Sequence, residues 1–105
     1  MNTKVARSFV GIEIMAGEEC DAIVAASLES NPATEVSVAP SIIRLDAPNR
    51  LVIRRSAVEA FLGREWDTRD LNQVVSAYHG YFTQWDEDVV VLSWDVDDRE
   101  NGTGV

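Results

Sequence analysis

The sequence is poor in residues that bind metals or act as nucleophiles. Cys20 is its one cysteine and His79 its one histidine among 105 residues. An intrachain disulfide is therefore excluded, which favours a reducing, cytoplasmic location. Zinc and diiron sites need several such ligands at short spacings, and the sequence has no CxxC, HxxxH or ExxH motif. We expect no metal and no other cofactor.

Membrane-spanning runs, phosphate-binding loops and positive charge are scarce as well. Apolar runs such as Val89–Leu92 are far shorter than the ~20 residues that cross a bilayer, and the first residues are not followed by the apolar run of a signal peptide. Gly102 and Gly104 stand in a polar segment that cannot enclose a phosphate. The net charge of −9 disfavours nucleic acid and anionic membranes as partners.

What is present is the composition of a globular protein. Hydrophobic residues make up 46% and charged residues 26% of the chain, and the length argues for one domain. We predict this domain over residues 9–96. A flexible arm over residues 1–8 is expected before it, and a disordered acidic tail over residues 97–105 is expected after it.

Apolar periodicity predicts the elements in the first half of the domain. Ser8 to Met15 alternates and is predicted to be a strand, in which Gly11 marks a bulge or a close approach of another group. A helix is predicted over residues 16–31, with Cys20 on its inward stripe. Three strands follow, over residues 35–39, 41–46 and 51–53.

Two helices are predicted in the second half. Ser56 and Glu59 have the spacing of a capping box, ahead of a short helix that ends at Gly63. A longer helix is predicted from Asp67 to Gly80, because its apolar residues follow helical spacing: Leu71, Val74, Val75 and Tyr78.

A hairpin over residues 81–96 completes the domain. Its acidic turn, Asp86–Asp88, is interpreted as a solvated turn, because it lacks the glycine and the distal glutamate of a calcium loop. The predicted order is β-α-β-β-β-α-α-β-β. Because the strands cluster, this order favours an α+β fold with helices packed on an antiparallel sheet.

Two groups of residues admit a structural and a functional interpretation. Cys20 and His79 could form a nucleophile and base, but an inert buried thiol is more common, and His79 could cap a helix C-terminus or contact a partner. The arginines of residues 44–55 either pair with Asp46 or Glu59 or recognise a carboxylate-rich surface; they are Arg44, Arg50, Arg54 and Arg55.

Several segments, in this order, resemble the coupling (effector) proteins of soluble diiron monooxygenases of the alkene, toluene and phenol type. The resemblance covers about residues 9–94. It rests on four runs: Val38-Ala39-Pro40-Ser41-Ile42-Ile43-Arg44-Leu45-Asp46-Ala47, Leu51-Val52-Ile53 with Arg55, Leu62-Gly63-Arg64-Glu65-Trp66-Asp67, and Gly80 through Asp86-Glu87-Asp88 to Leu92-Ser93-Trp94.

The resemblance implies a regulatory component that is not an enzyme and binds no prosthetic group. Such proteins dock transiently on the large subunit of a separate diiron hydroxylase. They modulate its active site, control substrate access and couple the use of reductant to hydroxylation or epoxidation. Reductase or ferredoxin components belong to the same systems. The short N-terminal arm points to the alkene-, aromatic- or phenol-oxidising branches.

In the family the N-terminal region and the last long helix with its following turn approach the hydroxylase. The resemblance therefore implies that the partner-binding residues are Phe9, Val10, Gly11, Asn72, Ser76, Ala77, Tyr78 and His79, and the functional interpretation of the arginines adds Arg44. The alternative to this function is a small-ligand-binding regulatory module of ferredoxin-like type, whose β-α-β-β opening is compatible with the predicted elements. A small enzyme using Cys20 and His79 is the third hypothesis.

Overall fold

Two antiparallel sheets and three α-helices make up the computed structural model, which describes residues 8–100. Residues 1–7 of the predicted arm and 101–105 of the predicted tail lie outside the described residues. The elements are β1 (Phe9–Met15), α1 (Glu18–Ser30), β2 (Glu35–Val38), β3 (Ile42–Pro48), β4 (Arg50–Arg54), α2 (Arg55–Leu62), a 3-10 turn (Thr68–Asp70), α3 (Leu71–Val74), β5 (Val75–His79), β6 (Tyr81–Trp85) and β7 (Val89–Ser93).

The first sheet has the strand order β2-β3-β1-β5 and the second the order β4-β7-β6. The alternation predicted for β1 is observed, since Val10, Ile12 and Ile14 are all buried in the core. They pack in one hydrophobic cluster with Cys20 and Ile23 of α1. Burial of each large aliphatic side chain is worth about 1.5–3 kcal/mol, so this face holds the helices while the other face of the sheet remains free for polar residues.

The predicted α+β class and order of elements are confirmed, with one strand more than expected. The helix predicted from Asp67 to Gly80 is wrong in its second half, where Val75–His79 forms β5 against β1. Gly80 therefore joins two strands and does not end a helix. The ferredoxin-like alternative is not observed either, because that topology places β-α-β-β-α-β in a single sheet, whereas these strands form two sheets.

The capping box predicted at Ser56 is also wrong. The helix α2 begins one residue earlier, at Arg55, and its N-cap is Arg54. The Glu59 carboxylate instead accepts a hydrogen bond from the Trp66 backbone N–H at 2.9 Å, which fixes the connection after the helix. The predicted end is confirmed, because Gly63 takes the left-handed conformation (φ 80°) and donates to the Glu59 carbonyl.

Asp67, where the sequence predicts a helix to begin, is the N-cap of the 3-10 turn after α2. Its carboxylate accepts hydrogen bonds from the Arg69 backbone N–H at 2.9 Å and from the Arg69 guanidinium at 2.6 Å. The guanidinium hydrogen bonds, helped by the backbone N–H, lower the pKa of Asp67 from 3.8 to about 2. The charged form of Asp67 therefore stabilises the folded state.

We expect Asp67→Asn to remove a pH-dependent part of the stability. A carboxyl group whose pKa is lower in the folded chain stabilises it above the unfolded pKa, and this stabilisation is lost as the pH falls through the folded pKa. The wild type should therefore be more stable than Asp67→Asn at pH 5, and the difference should shrink between about pH 4 and pH 2. Urea denaturation of both proteins across this range measures it; a difference independent of pH would contradict the assignment.

Candidate docking surface

The face of the first sheet that points away from the core carries two cross-strand rows of mostly polar residues. Because side chains alternate along a strand, residues that pair in register share a face. The rows follow from the registers of β2, β3, β1 and β5: Glu35, Asp46, Gly11 and His79 form one, and Ser37, Arg44, Glu13 and Ala77 form the other.

His79 lies across the backbone of Gly11 and reaches Asp46. A Cβ atom on Gly11 would stand 2.2 Å from His79 Cε1, so only glycine leaves room for the imidazole. The distance from His79 Nε2 to Asp46 Oδ1 is 3.6 Å. The close approach predicted at Gly11 is therefore observed. The interpretation of His79 as a helix cap is wrong, because it ends a strand.

Arg44 is held between two carboxylates on the adjacent row. Its Nε lies 2.9 Å from Asp46 Oδ2 and its Nη1 lies 3.2 Å from Glu13 Oε2. Hydrogen bonding to Asp46 raises the pKa of the Arg44 guanidinium further. The ion pairs fix the orientation of a side chain that remains 43% exposed, so Arg44 presents a charge whose position is set in advance.

An aromatic cleft adjoins this face at the edge strand β5. The ring centroids of Tyr78 and Phe82 are 4.6 Å apart, and those of Phe82 and Trp85 are 4.8 Å apart. Tyr78 closes the series and is 54% exposed. The cleft measures about 490 Å³ and is lined by Asn72, Val75, Ser76, Ala77, Tyr78, Phe82 and Trp85.

The residues predicted to bind a partner thus fall into three places. Phe9, Gly11, Arg44, Ala77 and His79 lie on the outer sheet face, and Asn72, Ser76 and Tyr78 line the cleft, which Ala77 shares. Val10 is fully buried, and we therefore leave it out of the surface. We call the outer face at β1, β3 and β5 together with the cleft the β5 surface.

Three contributors to the β5 surface were missed by the sequence analysis, and a fourth, Asp46, was named there only as a partner for arginines. Glu13 and Asp46 position Arg44 and His79, while Phe82 and Trp85 support Tyr78. The alternation of β1 places Glu13 beside Gly11, which was an available signal. The others come together only through the register of distant strands.

Cys20 and His79 do not form a catalytic pair. Cys20 is fully buried on the inner side of the sheet, with Sγ 4.0 Å from the Ile14 carbonyl oxygen, whereas His79 lies on the outer side. Burial, together with the charge of Asp21, raises the pKa of the Cys20 thiol, which disfavours the reactive thiolate. The enzyme hypothesis based on these two residues is therefore wrong.

Two kinds of feature are absent from residues 8–100. Within that range no three or more His, Cys, Asp and Glu residues are grouped so that they could hold a metal ion. Likewise no helix there has the length and apolar character required to cross a membrane. The acidic turn of the hairpin is self-contained, because Asp86 Oδ1 accepts the backbone N–H groups of Asp88 and Val89, each at 2.9 Å.

Comparison with protein families matches residues 8–93 to the family described as MmoB/DmpM. The chain belongs to the MmoB/DmpM family. One curated relative in this family is the phenol 2-monooxygenase stimulatory component DmpM of Pseudomonas sp. (strain CF600). It is 36% identical over 87 residues, which cover 83% of this chain and 96% of the relative.

Solved structures agree with the family assignment. The chain is 32% identical to a chain in a structure of a phenol hydroxylase–regulatory protein complex, with a TM-score of 0.75, covering 83% of this chain and 99% of that one. A second such complex gives 35% identity, a TM-score of 0.70, and coverage of 82% and 99%. The soluble methane monooxygenase regulatory protein B shares the fold at 14% identity (TM-score 0.64, coverage 89% and 74%).

These MmoB/DmpM relatives are regulatory or stimulatory components of monooxygenases by name. The resemblance found in the sequence is therefore confirmed. The names also confirm the prediction that the chain is a non-catalytic, regulatory component.

Proposed function

We propose that this protein is the coupling component of a soluble diiron monooxygenase, that it acts in the cytoplasm and that it docks on the large subunit of the hydroxylase. The observation that carries the proposal is the similarity to the regulatory protein of phenol hydroxylase complexes, at 32% identity over 83% of the chain. The relatives above 30% identity act in phenol systems by name, so a phenolic or related aromatic substrate is the proposed choice. The lone, buried Cys20 supports a reducing compartment.

The β5 surface is the proposed docking site. Interface hot spots are commonly aromatic or arginine side chains held rigidly in place. Tyr78 and Arg44 have this character, since a tilted ring contact with Phe82 orients the first and paired carboxylates orient the second. A surface ordered before binding loses less conformational entropy when the complex forms.

Docking changes the hydroxylase only through different affinities for its conformations. A protein that binds one active-site conformation more tightly shifts the population toward it. A tenfold shift needs about 1.4 kcal/mol of differential affinity, which one or two contacts of the β5 surface can supply. The transient complex leaves the hydroxylase free to receive electrons from its reductase or ferredoxin component.

The proposal is tested by adding the protein to a phenol-type diiron hydroxylase and its reductase. We expect product formed per reductant consumed to rise with increasing protein and to saturate, whereas the protein without hydroxylase yields no product. The boiled protein is the control. An unchanged rate and an unchanged ratio of product to reductant would contradict the proposal.

A further inference from the structure

The outer face of the second sheet is unexpectedly apolar. Val52, Val89 and Val91 form a small hydrophobic cluster separate from the main core, and Val91 is fully buried. They lie on the side of the sheet opposite Leu51 and Ile53, which alternate into the main core. Something must therefore cover this face.

An acidic segment of the same chain, residues 97–100, covers this face. Asp98 forms a bidentate pair with Arg50 on β4, at 2.8 and 2.9 Å. Glu100 pairs with both Arg50 and Arg54, and its backbone N–H donates to the Gln84 side chain on β6. Because β7 lies between β4 and β6, the segment of residues 97–100 crosses β7 on the face that carries Val91.

The charges of this segment and the register of β4 and β7 explain why residues 97–100 lie on this face of the second sheet. Arg50, Val52 and Arg54 alternate onto one face of β4, and Val52 pairs with Val91 in register. Hydrogen bonding to the arginines lowers the pKa of both Asp98 and Glu100. The surface is thus a group of three valines bordered by Arg50 and Arg54, and the segment that lies on it follows a turn and is mostly acidic. We call it the Arg50–Arg54 groove.

Residues 97–100 are held in the Arg50–Arg54 groove in a way that permits another acidic segment to replace them. The arginine side chains are 35% and 44% exposed, so a competing carboxylate can reach them, and salt screens ion pairs at this exposure. Residues 97–100 also lie beyond the range matched to the family, residues 8–93. The groove is on the second sheet, away from the outer face of the first.

We propose that the Arg50–Arg54 groove is a docking site for an extended acidic segment of a partner protein, which displaces the chain's own residues 97–100. Asp98 and Glu100 of the chain itself therefore compete with the partner segment for Arg50 and Arg54. A partner segment binds by placing two carboxylates on Arg50 and Arg54 and an apolar side chain over Val91. This inference does not depend on the proposed function.

The test uses the full chain with the double substitution Asp98→Asn/Glu100→Gln, which removes the competing charges at nearly constant shape. The probes are labelled peptides: one with the sequence of residues 94–100, and one of unrelated sequence with two carboxylates at the same spacing. Fluorescence anisotropy at low salt should show both binding the variant at least tenfold more tightly than the wild type. Amide chemical shifts of Val52 and Val91 should move on binding.

Arg50→Gln in the same background should abolish binding of both peptides, and Arg64→Gln, whose arginine lies 3.7 Å from Glu18 elsewhere on the surface, should leave it unchanged. If the double variant does not fold, the single variant Glu100→Gln takes its place in the binding measurements. Equal binding to wild type and variant, or binding that survives Arg50→Gln, would overturn the proposal. The proposal would also be overturned if the peptide of residues 94–100 binds and the unrelated peptide does not, because the groove would then accept only the chain's own segment. Self-association of the variant would overturn it as well, because a second copy of the chain would then be the occupant.

Discussion

Replacing Ala77 by arginine should weaken binding to the hydroxylase at least 100-fold and leave the free energy of unfolding nearly unchanged. Ala77 is exposed on the edge strand β5, and it belongs to both the outer sheet face and the cleft. A long charged side chain there separates the docked surfaces and must be desolvated in the complex. A 100-fold loss corresponds to about 2.7 kcal/mol. In the free protein the new side chain faces Glu13 across the strands, an arrangement that the sheet tolerates.

Ala60→Arg is the matched control for this experiment. Ala60 is exposed on α2, which packs against α1 on the other side of the first sheet. Titration calorimetry with the hydroxylase measures affinity, and urea denaturation measures stability, for both variants. An equal loss of affinity in both variants, or none in Ala77→Arg, would show that the β5 surface is not the docking site.

The local pattern of apolar residues and prolines in the sequence was sufficient to predict much of the fold. The alternation of residues 8–15 predicted a strand with one apolar face, and Ile12 and Ile14 on that face are both buried. The strands predicted over residues 35–39 and 41–46 are separated by Pro40, and β2 and β3 are indeed separate strands, because proline cannot donate to a sheet ladder. These predictions succeed because each depends on residues adjacent in sequence.

β5 was mistaken for helix because its apolar residues satisfy two periods at once. Val75 and Tyr78 continue the helical spacing of Leu71 and Val74, yet branched and aromatic residues also favour strands. The helix does form over Leu71–Val74. It ends there because the free edge of β1 offers backbone hydrogen bonds to residues 75–79, and such a distant edge leaves no trace in local periodicity.

The β5 surface was predictable only in part. The family resemblance selected Gly11, Ala77 and His79, and these residues do lie together although the helix assigned to two of them was wrong. Asp46 was considered only as a partner for arginines. That it also reaches His79 over Gly11 depends on the registers of three strands, which the sequence does not reveal.

The contact among Gly11, His79 and Asp46 leads to a double-mutant cycle with a large expected coupling. A methyl group at Gly11 would stand 2.2 Å from His79 Cε1 and 2.6 Å from Asp46 Oδ1. Gly11→Ala should therefore destabilise the protein by about 1–3 kcal/mol, as overpacking generally does. His79→Ala removes a partly exposed side chain whose Nε2 lies 3.6 Å from Asp46 Oδ1, so its own cost should be small.

The double variant should be more stable than the sum of the single effects predicts, by at least about 0.5 kcal/mol. Removing the imidazole relieves the closest contact of the methyl group and leaves only the end of the Asp46 side chain to shift, and alanine also restricts the unfolded chain more than glycine does. Urea denaturation of the four proteins measures the coupling. Additive effects would mean that the Asp46 side chain or the strand backbone, and not the imidazole, excludes a side chain at Gly11. The hydroxylase affinity of the double variant should stay low despite its recovered stability, because the imidazole is part of the β5 surface; an affinity restored to the wild-type value would remove His79 from the docking site.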